Sequence, residues 1–175
     1  FVGFFNTGFL CSDSVTKKYF YDHAIKLYGF VSRFDGFEKE PLIDRIGVRS
    51  KFYTVYDKSF DELRDKFLLK YTHLTSEASK LVDAKLIDVG FSLNFVDKLG
   101  NFNTMTGPME KGQVVQIFTN RREEDVAPVG LYFDIDYFLK PNKRMKTEEI
   151  TASIRNFADS AWERHEKIKT LVLGE

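Results

Sequence analysis

Strict alternation of apolar and polar residues in two segments constrains the fold of this chain more than any other feature. In 87–95 and again in 129–139, an apolar residue occupies every odd position. Because successive side chains of a β-strand point to opposite faces of a sheet, each segment predicts a strand with one apolar face. The segment 45–53 alternates in the same way and carries a basic row on its polar side. The chain is therefore expected to contain half-buried strands.

Apolar residues at helical spacing mark the helices. SFDE at 59–62 has the form of a capping box, in which a Ser accepts from a backbone N–H and a Glu reaches back to the start of the helix. The stretch 147–170 carries one apolar stripe and begins with Glu148 and Glu149, which favour the positive end of a helix. Two further helices are predicted at 14–29 and 75–84.

The order of elements decides the fold class. Further strands are predicted at 1–10 and 113–120, with a weaker strand pattern at 102–106 and a turn over 107–112. Strands and helices do not alternate strictly, so the sequence predicts an α+β fold: a mainly antiparallel sheet of five to six strands, with helices packed on one face and a long C-terminal helix. The core is expected to combine Ile87, Val89, Phe91, Phe133 and Ile135 beneath Ile154 and Phe157.

Length and composition limit the function classes. A chain of 175 residues with 43% hydrophobic content fits a single α+β domain over 1–175, and its start at Phe1 predicts further sequence upstream. Lys plus Arg equal Asp plus Glu at 26 each, which disfavours nucleic acid as a partner. No apolar run reaches the length of a membrane helix, and a single cysteine, Cys11, suits the cytoplasm. No cofactor motif is present, and none is predicted.

The polar sides of three predicted strands form the candidate site. Each of these sides carries one glycine, Gly47, Gly90 or Gly130, and glycine within a strand often marks a bulge or a close approach to the sheet. If the strands are neighbours, their uncovered face mixes both charge signs with hydroxyls and amides. The predicted binding residues on this face are Arg45, Arg49, Asp88, Ser92, Asn94, Tyr132, Asp134 and Asp136.

Two other interpretations of these residues remain open. An arginine of this face could pair with Asp134 or Asp136 purely as a structural link across the sheet. The same two acids, with Asp88 as a third, could instead hold Mg²⁺ for an enzyme. The three histidines are scattered along the chain and are expected at the surface or at helix ends: His23, His73 and His165.

Two motifs carry a family resemblance. LIDRIGVRSKF at 42–52 and GLYFDIDYF at 130–138, followed by a closing helix, resemble a sporadically distributed family of uncharacterised microbial proteins with RIGLRY-like and DIDxF-like strands. The resemblance spans 40–175, with Val48 in place of the usual Leu and Ser50 in place of an aromatic residue. It implies an α+β protein without an assigned reaction, and a patchy distribution compatible with a mobile or defence-associated cassette.

The residues favour binding over catalysis. We expect a non-enzymatic binding or protein-interaction module whose partner is another protein or a second copy of the chain. The alternative is a metal-dependent enzyme that uses the acidic cluster of Asp88, Asp134 and Asp136 on the polar sheet face.

Overall fold

The chain folds as an α+β protein in a computed structural model that describes residues 8–12, 14, 16–34, 37, 40–72, 83–118 and 121–174. The fold class predicted from the sequence is confirmed. The helices in these ranges are α1 (Lys17–Val31), α2 (Phe60–Tyr71), α3 (Lys111–Ile117) and α4 (Thr147–Leu173), with a 3₁₀ turn at Glu123–Asp125. The strands are β1 (Leu42–Ile43), β2 (Ile46–Val55), β3 (Phe91–Val96), β4 (Asn101–Glu110), β5 (Val129–Leu139) and β6 (Lys143–Arg144).

The strands form two sheets. The larger has the order β2-β5-β4-β3, so β5 lies inside the sheet and β3 lies at one edge. The smaller pairs β1 with β6 in antiparallel register, Leu42 opposite Arg144. β3 and β4 are joined by a tight turn in which the Asp97 carboxylate accepts from the backbone N–H of Leu99 at 2.8 Å. None of the helices in the described ranges has the length and apolar character needed to cross a membrane.

Both helix starts that the sequence marks most clearly are confirmed. The Ser59 hydroxyl accepts from the backbone N–H of Glu62 at 3.2 Å, as the capping pattern predicts. Glu62 itself accepts from Lys58 and from the Tyr56 hydroxyl. At the start of α4, Glu149 accepts from the backbone N–H of Lys146 at 2.9 Å, and this bond is the main reason that the pKa of Glu149 is lowered.

The described chain divides into two compact units. The first comprises Phe1–Arg49, Phe95–Phe102 and Asp136–Trp162, and the second Ser50–Asn94, Asn103–Ile135 and Glu163–Glu175. In the first unit, the buried Tyr137 ring stacks on Phe102 and Phe157, with ring centroids 4.9 and 5.2 Å away, and its hydroxyl donates to Asp97. An ion pair of 3.1 Å joins Lys17 of α1 to Asp159 of α4.

The second unit has an apolar core in which helix and strand residues are almost fully buried. Leu63 and Phe67 of α2 pack with Leu131 and Phe133 of β5 and with Val172 of α4. Phe67 also stacks with Phe91, at 5.5 Å between centroids. The contributions of α2, β5 and α4 therefore meet here, and the residue that α4 adds, Val172, lies beyond the predicted helix 147–170.

The predicted strand over 113–120 is wrong. Residues Lys111–Ile117 form helix α3, begun by a capping box in which the Gln113 side chain accepts from the backbone N–H of Glu110 at 2.8 Å. The predicted turn over 107–112 is also wrong, because β4 continues through Gly107 and Pro108 to Glu110. Pro108 is tolerated there because β3 begins only at Phe91, and the preceding residues do not form a strand that needs its missing N–H.

The burial expected of the core residues is confirmed for three of them and wrong for Ile87. Phe133, Ile135 and Phe157 are buried, whereas Phe91 is half-buried and Ile87 is 73% exposed. The reason is that 85–90 is not part of a strand and β3 lies at the sheet edge. The predicted helix at 75–84 lies mostly outside the described residues, as does most of the predicted strand at 1–10, whose described end, 8–10, is not in a strand.

A pair of truncations tests this placement. Phe133→Ala should lower the free energy of unfolding by about 3 to 5 kcal/mol, because it removes a buried ring from a packed core. Ile87→Ala should change it by at most about 0.5 kcal/mol, because the side chain is mostly in solvent. Urea unfolding of both variants measures the difference, and equal losses would contradict the observed burial.

Candidate functional site

An ion pair joins two predicted site residues. Arg45 lies immediately before β2, and Asp136 lies on the neighbouring strand β5. The Nη2 of Arg45 donates to both carboxylate oxygens of Asp136, at 2.8 and 2.9 Å. The predicted pairing of one arginine with one of these acids is therefore confirmed. Both side chains remain in contact with solvent, with 46% of Arg45 and 27% of Asp136 exposed.

An aromatic ring supports the same guanidinium. Phe138 follows Asp136 by two positions on β5 and so lies on the same face of the strand. The guanidinium carbon of Arg45 lies 4.8 Å from the centroid of this ring, and the Nζ of Lys140 lies 5.9 Å from it. We call Arg45, Asp136, Phe138 and Lys140 the Arg45 platform. It holds two cations and one anion around one ring.

Gly47 provides the space that this arrangement needs. A Cβ at this position would lie 2.8 Å from the carbonyl oxygen of Tyr137, 3.0 Å from the Cβ of Phe138 and 3.1 Å from the Nη1 of Arg45. The expected close approach at a strand glycine is thus confirmed at Gly47. It is also confirmed at Gly130, whereas a Cβ at Gly90 would meet its nearest atom at an ordinary 3.7 Å.

The Arg45 guanidinium can donate further hydrogen bonds besides those to Asp136. Asp136 is the one acceptor that the described residues offer to Arg45, and it uses only Nη2. Nε and Nη1 therefore retain N–H groups in a planar array that matches carboxylate and phosphate oxygens. Because the ring and Asp136 hold the guanidinium in place, little side-chain freedom remains to be lost on binding.

Tyr132 and Asp134 do not belong to an uncovered face, and the prediction that placed them there is wrong. Tyr132 is 1% and Asp134 5% exposed, and the tyrosine hydroxyl donates to Asp134 at 3.2 Å. The Phe118 ring packs edge-on against Tyr132, with centroids 6.1 Å apart. β5 is an internal strand covered on both faces along this part, so these two residues are part of the framework.

The remaining predicted residues are exposed. Arg49 lies on the exposed side of β2 and is already engaged in an interaction. Ser92 and Asn94 lie on the edge strand β3. Asp88 precedes that strand and accepts from the backbone N–H of Val89 at 2.7 Å and from the Gln113 amide at 3.3 Å.

The acidic cluster required by the metal-dependent alternative does not form. Across the described part of the chain, no three His, Cys, Asp or Glu side chains converge in a way that could hold a metal ion. Each of the three aspartates has a different partner: Gln113 for Asp88, Tyr132 for Asp134 and Arg45 for Asp136.

His165 is buried, and its expected place at a surface or helix end is wrong. Its ring stacks on Phe52, with centroids 4.2 Å apart, and meets the edge of Phe133 at 4.9 Å. Its Nε2 lies 3.0 Å from the Thr54 hydroxyl. Burial disfavours the imidazolium and lowers the pKa of His165, while nearby Glu166 acts in the opposite direction. The sequence signal for this role is its place on the apolar side of α4, four residues after Ala161.

Comparisons with known proteins found no match for this chain among protein families, curated proteins or solved structures.

His165 predicts a pH-dependent stability. The folded state lowers its pKa, so the unfolded state binds more protons as the pH falls. The contribution to stability is complete above about pH 6.5, the usual pKa of histidine, and is lost as the pH falls below it. Urea unfolding between pH 7.5 and 5 should show this loss in the natural sequence and in a His23→Gln control. His165→Gln should flatten it, and an unchanged slope would contradict the assignment.

Gly47 predicts a second stability effect. Gly47→Ala should lower the free energy of unfolding by about 1 to 3 kcal/mol, because the new methyl group would overlap backbone and platform atoms. Gly112→Ala is the matched control, since a Cβ there meets nothing within 4 Å and alanine favours the helix by about 0.5 to 1 kcal/mol. Thermal melts of both variants give the comparison, and a stabilised Gly47→Ala would contradict the close approach.

Proposed function

We propose that this chain is a non-enzymatic binding module that recognises a carboxylate- or phosphate-bearing protein partner through the Arg45 platform. The observation that carries the proposal is the partly exposed Arg45 guanidinium, held on Phe138 and Asp136 with Nε and Nη1 still able to donate. Such charge-assisted hydrogen bonds are about twice as strong as neutral ones and select for planar or tetrahedral anions.

A purely structural role of the Arg45–Asp136 ion pair explains the arrangement of the platform less well than anion binding does. An exposed ion pair contributes about 0.2 to 1 kcal/mol to stability, and its removal is tolerated in most proteins. The ring beneath the guanidinium and the second cation at Lys140 add little to folding at an exposed position. Together they favour an incoming anion, since the platform carries two positive charges and one negative charge.

The chain has no net charge, which supports recognition of an anion by contacts at the platform itself. With 26 basic and 26 acidic residues, the chain as a whole does not steer anions toward the platform. Affinity therefore comes from contacts at Arg45 and Lys140, and binding weakens with salt. The partner is a separate protein or a second copy of this chain, and the proposal includes a cytoplasmic setting, which the single cysteine supports. Nucleic acid and membranes are not part of it.

Titration with defined anions tests the proposal. In ¹⁵N-labelled protein, inorganic phosphate, a phosphoserine peptide and a short Glu-rich peptide should shift the amide signals of Gly47 and Phe138, whereas the Gln-rich counterpart should not. Arg45→Ala should weaken binding about tenfold or more, because charge-assisted hydrogen bonds contribute about 1.5 to 3 kcal/mol. Arg45→Lys should rescue binding only in part, since an ammonium lacks the planar array of donors.

Arg33→Ala is the matched control, because Arg33 is an exposed arginine outside the platform. It should bind like the natural sequence. Arg45→Ala should keep its melting temperature within a few degrees, which separates lost binding from lost folding. Equal binding by Arg45→Ala, equal binding of the Gln-rich peptide, or no response to any of the anions would overturn the proposed function.

A further inference from the structure

A small pocket lies in the second unit, and none of its lining residues belongs to the Arg45 platform. It has a volume of about 280 Å³ and is lined by parts of β4, by 88–90 and by the start of α3. Its lining is mostly apolar, with two thioethers, a proline and a tyrosine ring. The side chains that matter for recognition are Asp88, Met105 and Met109.

Asp88 gives this pocket a negative charge. It is the one charged side chain among the described residues that line the pocket. Its Oδ1 accepts from the backbone N–H of Val89 at 2.7 Å, and its Oδ2 accepts from the Nε2 of Gln113 at 3.3 Å. Each carboxylate oxygen can accept a further hydrogen bond, because an ionised carboxylate offers about four lone-pair sites. Among the described residues, the negative charge of Asp88 is therefore oriented by two donors but not paired with a cation.

The side-chain amide of Gln113 donates to Asp88, and the capping box of α3 fixes the orientation of this amide. Its Oε1 accepts from the backbone N–H of Glu110 at 2.8 Å as part of the capping box of α3, which orients its Nε2 group as a donor. The nearby cation Arg64 does not offset Asp88. Arg64 donates to the carbonyl oxygen of Leu86 at 3.3 Å, but its charge is already balanced by Asp61 at 2.6 Å and Asp65 at 2.9 Å.

We infer that this pocket binds a small organic cation with an apolar body, of the alkylammonium class, with the ammonium group on Asp88 and the carbon chain against Met105 and Met109. Charge complementarity selects the cation, since the lining carries one unneutralised carboxylate. Flexible, polarisable thioethers adapt to an alkyl chain without a fixed shape. The volume lies just below the range of about 300 to 1,000 Å³ typical of drug-sized ligands, which limits the occupant to a few heavy atoms.

This site is independent of the proposed function, so either can fail alone. The probe is n-hexylammonium chloride, compared with hexanol and hexanoate, each titrated into ¹⁵N-labelled full chain at constant ionic strength. The ammonium compound should produce saturable shifts at the Gly90 and Gly107 amides, which border the pocket, and leave Gly47 unchanged. Hexanol should bind about tenfold more weakly or worse, because it lacks the charge. Hexanoate should not bind.

Two variants separate recognition from folding. Asp88→Asn keeps the shape of the side chain and should weaken hexylammonium binding about tenfold or more. Met105→Lys places a cation at a side chain that is 45% exposed, so it should block binding without disturbing the core. Asp57→Asn, an exposed acid outside the pocket, is the control and should bind normally. Equal binding of hexanol and hexylammonium, unchanged binding in Asp88→Asn, or no saturable shift would overturn the inference.

Discussion

Burial of strand β5 on both faces is the constraint on which the rest of the structure depends. The strand has sheet neighbours on both sides, and its residues from Gly130 to Ile135 are all buried. One face packs Leu131 and Phe133 into the core of α2 and α4, and the other buries Tyr132 with Asp134. Buried polar groups need hydrogen-bond partners, and the tyrosine hydroxyl donates to this carboxylate.

The Arg45 platform lies where this burial ends. The side of β5 that carries Tyr132 and Asp134 is closed to solvent, whereas Asp136 and Phe138 on the same side are only half-buried. A partly exposed carboxylate can orient an arginine without the large desolvation cost of a fully buried ion pair. The less buried end of β5 thus supplies the accessible groups.

The sequence predicted features that depend on local pattern and missed those that depend on sheet order. Alternation correctly identified the two sides of β2, and the Arg45 and Asp136 pairing followed from it. Alternation does not distinguish an internal strand from an edge strand, so Asp134 was expected in solvent and Ile87 in the core. At 113–120 the sequence predicts a strand, whereas the capping box of Glu110 and Gln113 favours a helix. These outcomes were set by tertiary packing and by capping hydrogen bonds.

The wide separation of the platform residues along the chain affects the order of folding. Tyr56 and Glu62 are six positions apart, so this contact closes a short loop and costs little entropy. Arg45 and Asp136 are 91 positions apart, and their contact requires the intervening strands to be in place. We therefore expect the platform to assemble late, after the local contacts near α2. A fragment that ends before β5 lacks Asp136 and Phe138, so a chain still emerging from the ribosome has no Arg45 platform until β5 has been synthesised.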